Sequence, residues 1–522
     1  MSATDLVRMN TAPPGFDLAR EMGGEFAHFY EGLHAAFGAR QKALARARIE
    51  RLALAHRDGV LPDHLPPSIA TTSDWRITVP AWCQDQRNQM TGPADEAELV
   101  VKMLNSGAPG VMLDLEDSMA NTWGNLLRGV DNIVAALEGR LTYEDAKRGR
   151  TVGIDASNVA IWSRVRGLHL SQAGVIAGDT TSASLFDLSL IAWRLDASKL
   201  KHPLAIYIPK SESAEEARWW ADVFAAVAEA RGWERDFIKC MALVESHPLA
   251  YEMEEFLFHL RAHILGLNLG RWDYMASLIH WNLMESRWVL PDRNTIPHDV
   301  PFFQRLRHLL VDICHRRGAL AIGGMTALYP SRADETLNAR ALTTLENDKK
   351  NEAACFMDGA WTGHPDQNAI AVAQFPSPNQ LQSRIAGTER YPDLRPSPAG
   401  VGTHTVNGTR AAVRTVIRYR NGVLAGKGAS LLDGYMEDLA TDRIYRLMIS
   451  QRLRHADSLR ILDANGTPVR HDEALLSKMF DEALGMLVSE LPLGRDVGDE
   501  VTLVEACRQS KWMIEHNLFD PV

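Results

Sequence analysis

The stretch RAHILGLNLGRWDY, residues 261–274, decides how this 522-residue chain is read. Its apolar run ILGLNL stops on Gly270, Arg271, Trp272 and Asp273. A strand that ends in glycine and then a carboxylate leaves backbone amides beside an acid, which suits a metal ion or a substrate oxyanion. Residues 237–244, FIKCMALV, follow the same plan and run into Glu245, with a helix-like stretch at 249–260 before the next apolar run. Parallel strands joined by helices put their carboxyl ends on one face, so two acids closing consecutive strands of a βαβ unit can converge. Glu245 and Asp273 are therefore the leading pair of metal ligands. With neither Cys nor His beside them they suit a hard cation such as Mg²⁺. The bland alternative is a pair of helix N-caps.

Outward from this unit, short apolar runs recur at 75–79, 110–115, 159–165, 204–208, 237–244, 264–269, 319–323 and, weakly, 356–362, most of them separated by helix-like stretches. That alternation predicts an α/β chain built on a (β/α)8 TIM barrel. A doubly wound sheet is the rival, but no GxGxxG or P-loop sequence follows a strand. Helical spacing from Glu25 to about Asp58, stopped by Gly59 and the prolines at 62–67, marks an N-terminal helical segment, 1–74. The barrel is assigned to 75–375, a Pro-, Ser- and Gly-rich linker to 376–407, and an all-helical C-terminal domain to 408–522. Its helices are expected at 409–424, 437–454, 472–490 and 500–517.

The formal net charge of −10 argues against a sequence-wide nucleic-acid or anionic-membrane footprint. The five cysteines are scattered with no CxxC spacing, which fits a reducing cytoplasm. No apolar signal core opens the chain, and no stretch approaches the length of a membrane span.

Several expected strands finish in charged residues: Asp114, Glu116 and Asp117 in LDLEDS, Arg164 and Arg166 in SRVRGLH, and Lys210 in YIPKS. A packed barrel core excludes charge, so acids and arginines at strand ends are informative as a group, although each alone also fits a solvated or ion-paired terminus. His263, His315 and His364 lack metal-ligand spacing and read as core or loop residues. Trp272 and Trp361 suit a pocket wall as well as plain burial. In YMEDLATDRIYR, Glu437 and Asp438 stand at a helix start, where acids complement the dipole with or without a catalytic role.

The ordered segments VMLDLEDSMANTW, SRVRGLHL, YIPKSES, GLNLGRWDY, VLPDR, CHRRGALAIGGM, DGAWTGHP and GYMEDLATDRIYR resemble the malate synthase family, in its shorter A-type form, from about Trp75 to Arg446. The resemblance implies a (β/α)8 barrel with an N-terminal helical clasp and a C-terminal helical plug. It also implies an acyltransferase of the glyoxylate bypass that condenses acetyl-CoA with glyoxylate and hydrolyses the thioester to malate and CoA. Glu245 and Asp273 then match the Mg²⁺ ligands, with Mn²⁺ as a possible substitute. Arg164 matches the arginine that stabilises the enolate, and Asp438 the base that takes a proton from the acetyl methyl. Gly270, Arg271, Trp272, Asp273 and Trp361 are expected to line the substrate site.

The chain departs from the family pattern in three places. Ala262 stands between Arg261 and His263 where a polar or acidic residue is usual, Leu269 replaces the usual Cys, and Ala276 replaces an aromatic residue. These changes are expected to touch the surroundings of Asp273. Two other readings stand beside the synthase: a malyl-CoA or citramalyl-CoA type lyase that stops before thioester hydrolysis, and a non-catalytic homologue.

Overall fold

The computed structural model describes residues 11–396, 401–494 and 498–519. The reading of the chain's first ten residues and of its last three, and part of the 376–407 linker, lie outside the described residues. Eight parallel strands close into a barrel: β1 (Asn88–Pro93), β2 (Gly110–Asp114), β3 (Ala160–Arg164), β4 (Ala205–Ile208), β5 (Lys239–Val244), β6 (Ile264–Leu269), β7 (Leu320–Met325) and β8 (Gly359–Thr362), with β8 pairing back onto β1. Seven of the eight expected runs are barrel strands. The expectation for 75–79 is corrected: Ile77 and Val79 are buried, but this stretch lies outside the barrel sheet, tied by Ile77 N to the Arg317 carbonyl at the end of the helix Pro301–Arg317.

The strand that takes its place, NQMTGP, has little intrinsic β preference. Tertiary bonding makes it a strand. Gln89 is fully buried and its side-chain oxygen accepts from the Tyr207 hydroxyl and the Trp361 indole, each at 2.8 Å. Its amide donates to Gln86 Oε1, which also accepts from the Trp162 indole. A polar side chain satisfied from both sides costs little to bury, so a strand of polar appearance closes the barrel.

The N-terminal helix Gly24–Asp58 lies along the outside as a clasp. Its Tyr30 hydroxyl bonds Thr181 at 2.5 Å, and Arg48 pairs with Glu216 at 2.5 Å while donating to the Lys210 carbonyl at 2.9 Å. The described part of 376–396 is bonded to the barrel: Gln380 N donates to Asp358, and His315, buried, bonds both Asp358 and the Ser383 carbonyl. Beyond it, the helices Val406–Leu424, Leu439–Arg454, Glu473–Glu490 and Glu500–Glu515 form the C-terminal unit, and Leu439–Arg454 packs on the helix Arg271–Trp281 of the barrel.

Two short hairpins interrupt these helices, Ser430–Leu432 with Tyr435–Glu437 and Ile461–Leu462 with Pro468–Val469. The first moves the expected helix start from 437 to Leu439, because Met436 N bonds the Ala327 carbonyl and Tyr329 N bonds the Gly434 carbonyl.

Barrel closure is tight where β8 meets the chain entering β1, since a Cβ on Gly359 would lie 1.9 Å from the Gln86 carbonyl oxygen. Gly359→Ala should cost about 3 kcal/mol or more in urea unfolding, at or beyond the upper end of ordinary overpacking. Gly153→Ala, whose Cβ meets only Thr142 at 3.6 Å, serves as the control and should change stability by less than about 1 kcal/mol.

Candidate active site

The strand carboxyl ends surround a cavity of about 260 Å³ roofed by residues of the C-terminal unit. Arg164, Glu245, Gly270, Arg271, Trp272, Asp273, Trp361 and Asp438 all line it. Gly270 is required there, because a Cβ would meet the Glu245 side chain at 2.8 Å, so the ends of β5 and β6 approach through the missing side chain. The helix Arg271–Trp281 opens directly after it with no side-chain cap at Gly270, and its first turn presents positive dipole to the cavity.

Arg164 ends β3 and donates two bonds to Asp114 at the end of β2, from Nε at 2.6 Å and from Nη2 at 2.5 Å. Asp114 in turn accepts from the amides of Glu116 and Ser118, which folds the LDLEDS turn around it. The Arg164 guanidinium also lies 5.6 Å from the Trp361 ring centroid. Two fork bonds and an aromatic face fix both the position and the plane of this cation.

Lys210, after β4, is the hub of the acids. Its ammonium lies 2.6 Å from Asp117, 2.9 Å from Glu116, 3.1 Å from Asp273 and 3.7 Å from Glu245, and its amide donates to Glu245 at 2.8 Å. The residue adopts φ +50°, the left-handed region that costs a non-glycine residue of the order of 1–3 kcal/mol. From the roof, Arg443 Nη1 reaches Asp117 and Asp273, each at 2.9 Å.

These ion pairs and Asp438 set six carboxylates, Asp114, Glu116, Asp117, Glu245, Asp273 and Asp438, among three cations, Arg164, Lys210 and Arg443. Loss of water is the strongest influence on their proton affinities. Burial pushes Glu116 up to about 8 and Glu245 well above the carboxylate range, with the neighbouring acids adding to it and Lys210 opposing it. Asp117 goes the other way, because Lys210, Arg443 and Arg164 together outweigh its burial. Asp438 is pushed up to about 7 by burial and by Asp117 and Asp273, against Arg164.

A buried surplus of carboxylate is the setting in which a divalent cation is favourable. Among the described residues no His or Cys lines the cavity, and its carboxylate oxygens suit a hard ion. Among the described residues no group of three His, Cys, Asp or Glu forms a metal-holding cluster. Glu245 and Asp273 could hold such an ion as two protein ligands, with substrate oxygens and water completing its shell.

Asp438 is the N-cap of Leu439–Arg454 in a capping box with Thr441. The cap and the cavity position therefore coincide in one side chain. Arg271 donates to the carbonyls of Ile296 and Pro297, while its Nε and Nη1 lack a protein partner. Burial brings it down to about 10.

The other expectations divide. Arg166 pairs with Asp187 at 2.7 Å and does not line the cavity. His263 bonds the Ile238 carbonyl and His364 caps the helix Pro365–Gln374, so both are structural. Leu269 and Ala276 are buried next to Asp273's elements, as expected, but Ala262 lies at the opposite end of β6, where its carbonyl accepts from Lys239. That part of the expectation is corrected.

The sequence reading missed Arg443, the Gly426–Ala429 segment, and the β1 residues Thr91, Gly92 and Pro93 with Asp95 after them. A correct placement of β1 would have supplied the last group. Nothing local marks Arg443.

A closed barrel of eight parallel strands with a carboxylate-rich mouth roofed by a helical unit defines an enzyme of the TIM-barrel class. A family model described as the malate synthase TIM barrel domain matches residues 160–392, and one described as the malate synthase C-terminal domain matches 403–501. Malate synthase of Streptomyces clavuligerus is 38% identical over 81% of this chain and 81% of its own length. Malate synthase A of Escherichia coli is 34% identical over 92% of this chain and 90% of its own, and the glyoxysomal malate synthase of Zea mays 34% over 94% and 91%. The chain belongs to the malate synthase family and is an enzyme of that type, a transferase; the lyase and non-catalytic readings are not favoured.

The roof is seated by close contact. A Cβ on Gly428 would fall 2.1 Å from the Met119 backbone carbon. Gly428→Ala should lift the roof and lower turnover about 100-fold, the scale of an ångström-level misplacement, with far-ultraviolet circular dichroism unchanged. Gly485→Ala, with nothing near its Cβ, should leave turnover intact.

Proposed function

We propose that this enzyme condenses acetyl-CoA with glyoxylate and hydrolyses the thioester, with Asp438 as base, Arg164 at the enolate oxygen and Glu245 and Asp273 as ligands of Mg²⁺. The observation that carries this reading is the meeting of an acid from the roof with an arginine and two acids from the barrel in one cavity. A thioester methyl is weakly acidic, so its deprotonation needs a positioned carboxylate and a cation where negative charge develops. Asp438 takes the proton, and Arg164, held by Asp114 and Trp361, stabilises the oxygen. The enolate carbon then bonds the aldehyde carbon of glyoxylate, and water cleaves the thioester to release malate and the CoA thiol.

Glu245 and Asp273 would hold the ion, which would supply Lewis-acid polarisation of the 2-oxo acid, and the same oxygen donors would suit Mn²⁺. Gly270 and the opening turn at Arg271, Trp272 and Asp273 receive the glyoxylate carboxylate, with the unpartnered Arg271 Nε and Nη1 as further donors. The barrel, 75–375, thus carries substrate and metal, while 408–522 brings the base, so chemistry waits on closure and water is excluded from the enolate. The free, buried cysteines fit a reducing cytoplasm, and no helix among the described residues is long and apolar enough to cross a membrane.

Asp438→Asn should reduce deuterium exchange into the acetyl methyl by at least about a thousandfold, within the range assigned to a general base, while thiol release and malate formation fall in parallel. Exchange near the normal rate removes Asp438 from this role.

The base works ionised. With its carboxyl pushed up to about 7, exchange should fall about tenfold per pH unit below neutrality. An acid limb near the ordinary carboxylate value instead shows the surplus charge to be neutralised in the working enzyme.

A further inference from the structure

Arg443 is wholly buried on the helix whose N-cap is Asp438, yet its guanidinium ends among the acids of the barrel. One nitrogen, Nη1, bridges Asp117 on the β2 side and Asp273 on the β6 side at 2.9 Å each. A second tie runs alongside, from Leu439 N to the Asp117 carbonyl at 3.3 Å. The guanidinium lies 5.2 Å from the ring of Phe519, and Arg446 holds that end of the chain by donating to the Leu518 and Phe519 carbonyls at 2.5 and 3.1 Å. The Phe519 ring also stacks on His280.

We propose that Arg443 is a positioning residue with two opposed effects: it registers Asp438 over the barrel mouth, and it competes with the divalent cation for the Asp273 carboxylate. This rests on the reading of Asp273 as a metal ligand and Asp438 as the base. A buried charge-assisted bridge between two carboxylates is directional, so the helix carrying it is fixed in register with both. A positive charge 2.9 Å from Asp273 Oδ1 repels a divalent ion brought to the same carboxylate, strongly so where water is excluded. Lys210, at 3.1 Å from Oδ2, already neutralises the other oxygen. The chain therefore gains a tightly registered base at the expense of metal affinity.

The two effects separate in experiment. The full-length wild type, Arg443→Gln, Arg443→Lys, Phe519→Ala and Asp273→Ala are titrated with Mn²⁺, following the free ion by electron paramagnetic resonance. Methyl exchange of acetyl-CoA is measured at saturating Mn²⁺, and thermal unfolding is followed alongside. Arg443→Gln should bind Mn²⁺ at least about tenfold tighter, from the removal of a nearby positive charge, and exchange at least about tenfold more slowly, from the loss of register. Arg443→Lys should return both toward wild type.

Phe519→Ala leaves every charge in place and removes the aromatic face beside the guanidinium, so it should move both quantities in the same directions by smaller factors. It answers the question if Arg443→Gln fails to fold. Mn²⁺ affinity that is unchanged or weaker in Arg443→Gln, or no movement of either quantity in Phe519→Ala, overturns the proposal while Asp273→Ala still loses the ion. Mn²⁺ binding undiminished in Asp273→Ala overturns the ligand assignment itself, and the role of Arg443 falls with it.

Discussion

The site depends on the pairing of the Lys210 ammonium with the acids buried around it. Four carboxylates from three strand ends and the following turns, Glu116, Asp117, Glu245 and Asp273, lie within 3.7 Å of that one nitrogen. Without it their mutual repulsion would push the strand ends apart, since each is almost completely out of water. Its backbone is held in the left-handed region, and its amide is committed to Glu245. Such strain persists where the surroundings over-determine it, and here the surroundings are the residues proposed to meet substrate and metal.

One cation does not balance the acids. Arg164 and Arg443 add two more, from the barrel and from the roof, and burial still holds Glu116, Glu245 and Asp438 above the ordinary carboxylate range. The remaining surplus gives a hard cation a physical reason to bind. It also gives the roof a reason to close, because Arg443 finds in Asp117 and Asp273 partners that solvent would screen.

How much of this was legible follows from where each signal sits. Asp273 and Glu245 were readable because an apolar run stopping on a carboxylate is a local pattern, and Gly270 between them marks close approach. Seven strands were readable because each is itself a short local apolar run. The eighth, Asn88–Pro93, was not, because its place in the barrel is set by Gln89 bonding Tyr207 and Trp361, far away in sequence. Propensity gives no account of a strand held by three polar groups at the barrel's interior. The same holds for Arg443, which reads as one more basic residue on an exposed helix until the helix is docked. Asp438 was reached through a family motif, since composition alone leaves it as a helix cap.

On the proposed reading, that last residue is helix cap and base in one carboxyl. A helix N-terminus favours the charged form and would by itself weaken a base. Burial under the roof and the proximity of Asp117 and Asp273 overcome this and bring Asp438 to about 7. The capping bond from Thr441 N, 3.3 Å long, opposes the rise less than Arg164 does. The raised proton affinity therefore comes from burial and from the neighbouring acids, so a carboxyl solvated by water would return toward the ordinary range and, on the proposed reading, be a poorer acceptor for a methyl proton. In the proposed reaction base strength and the exclusion of water thus rise together, so deprotonation would be favoured only where the enolate it creates is protected.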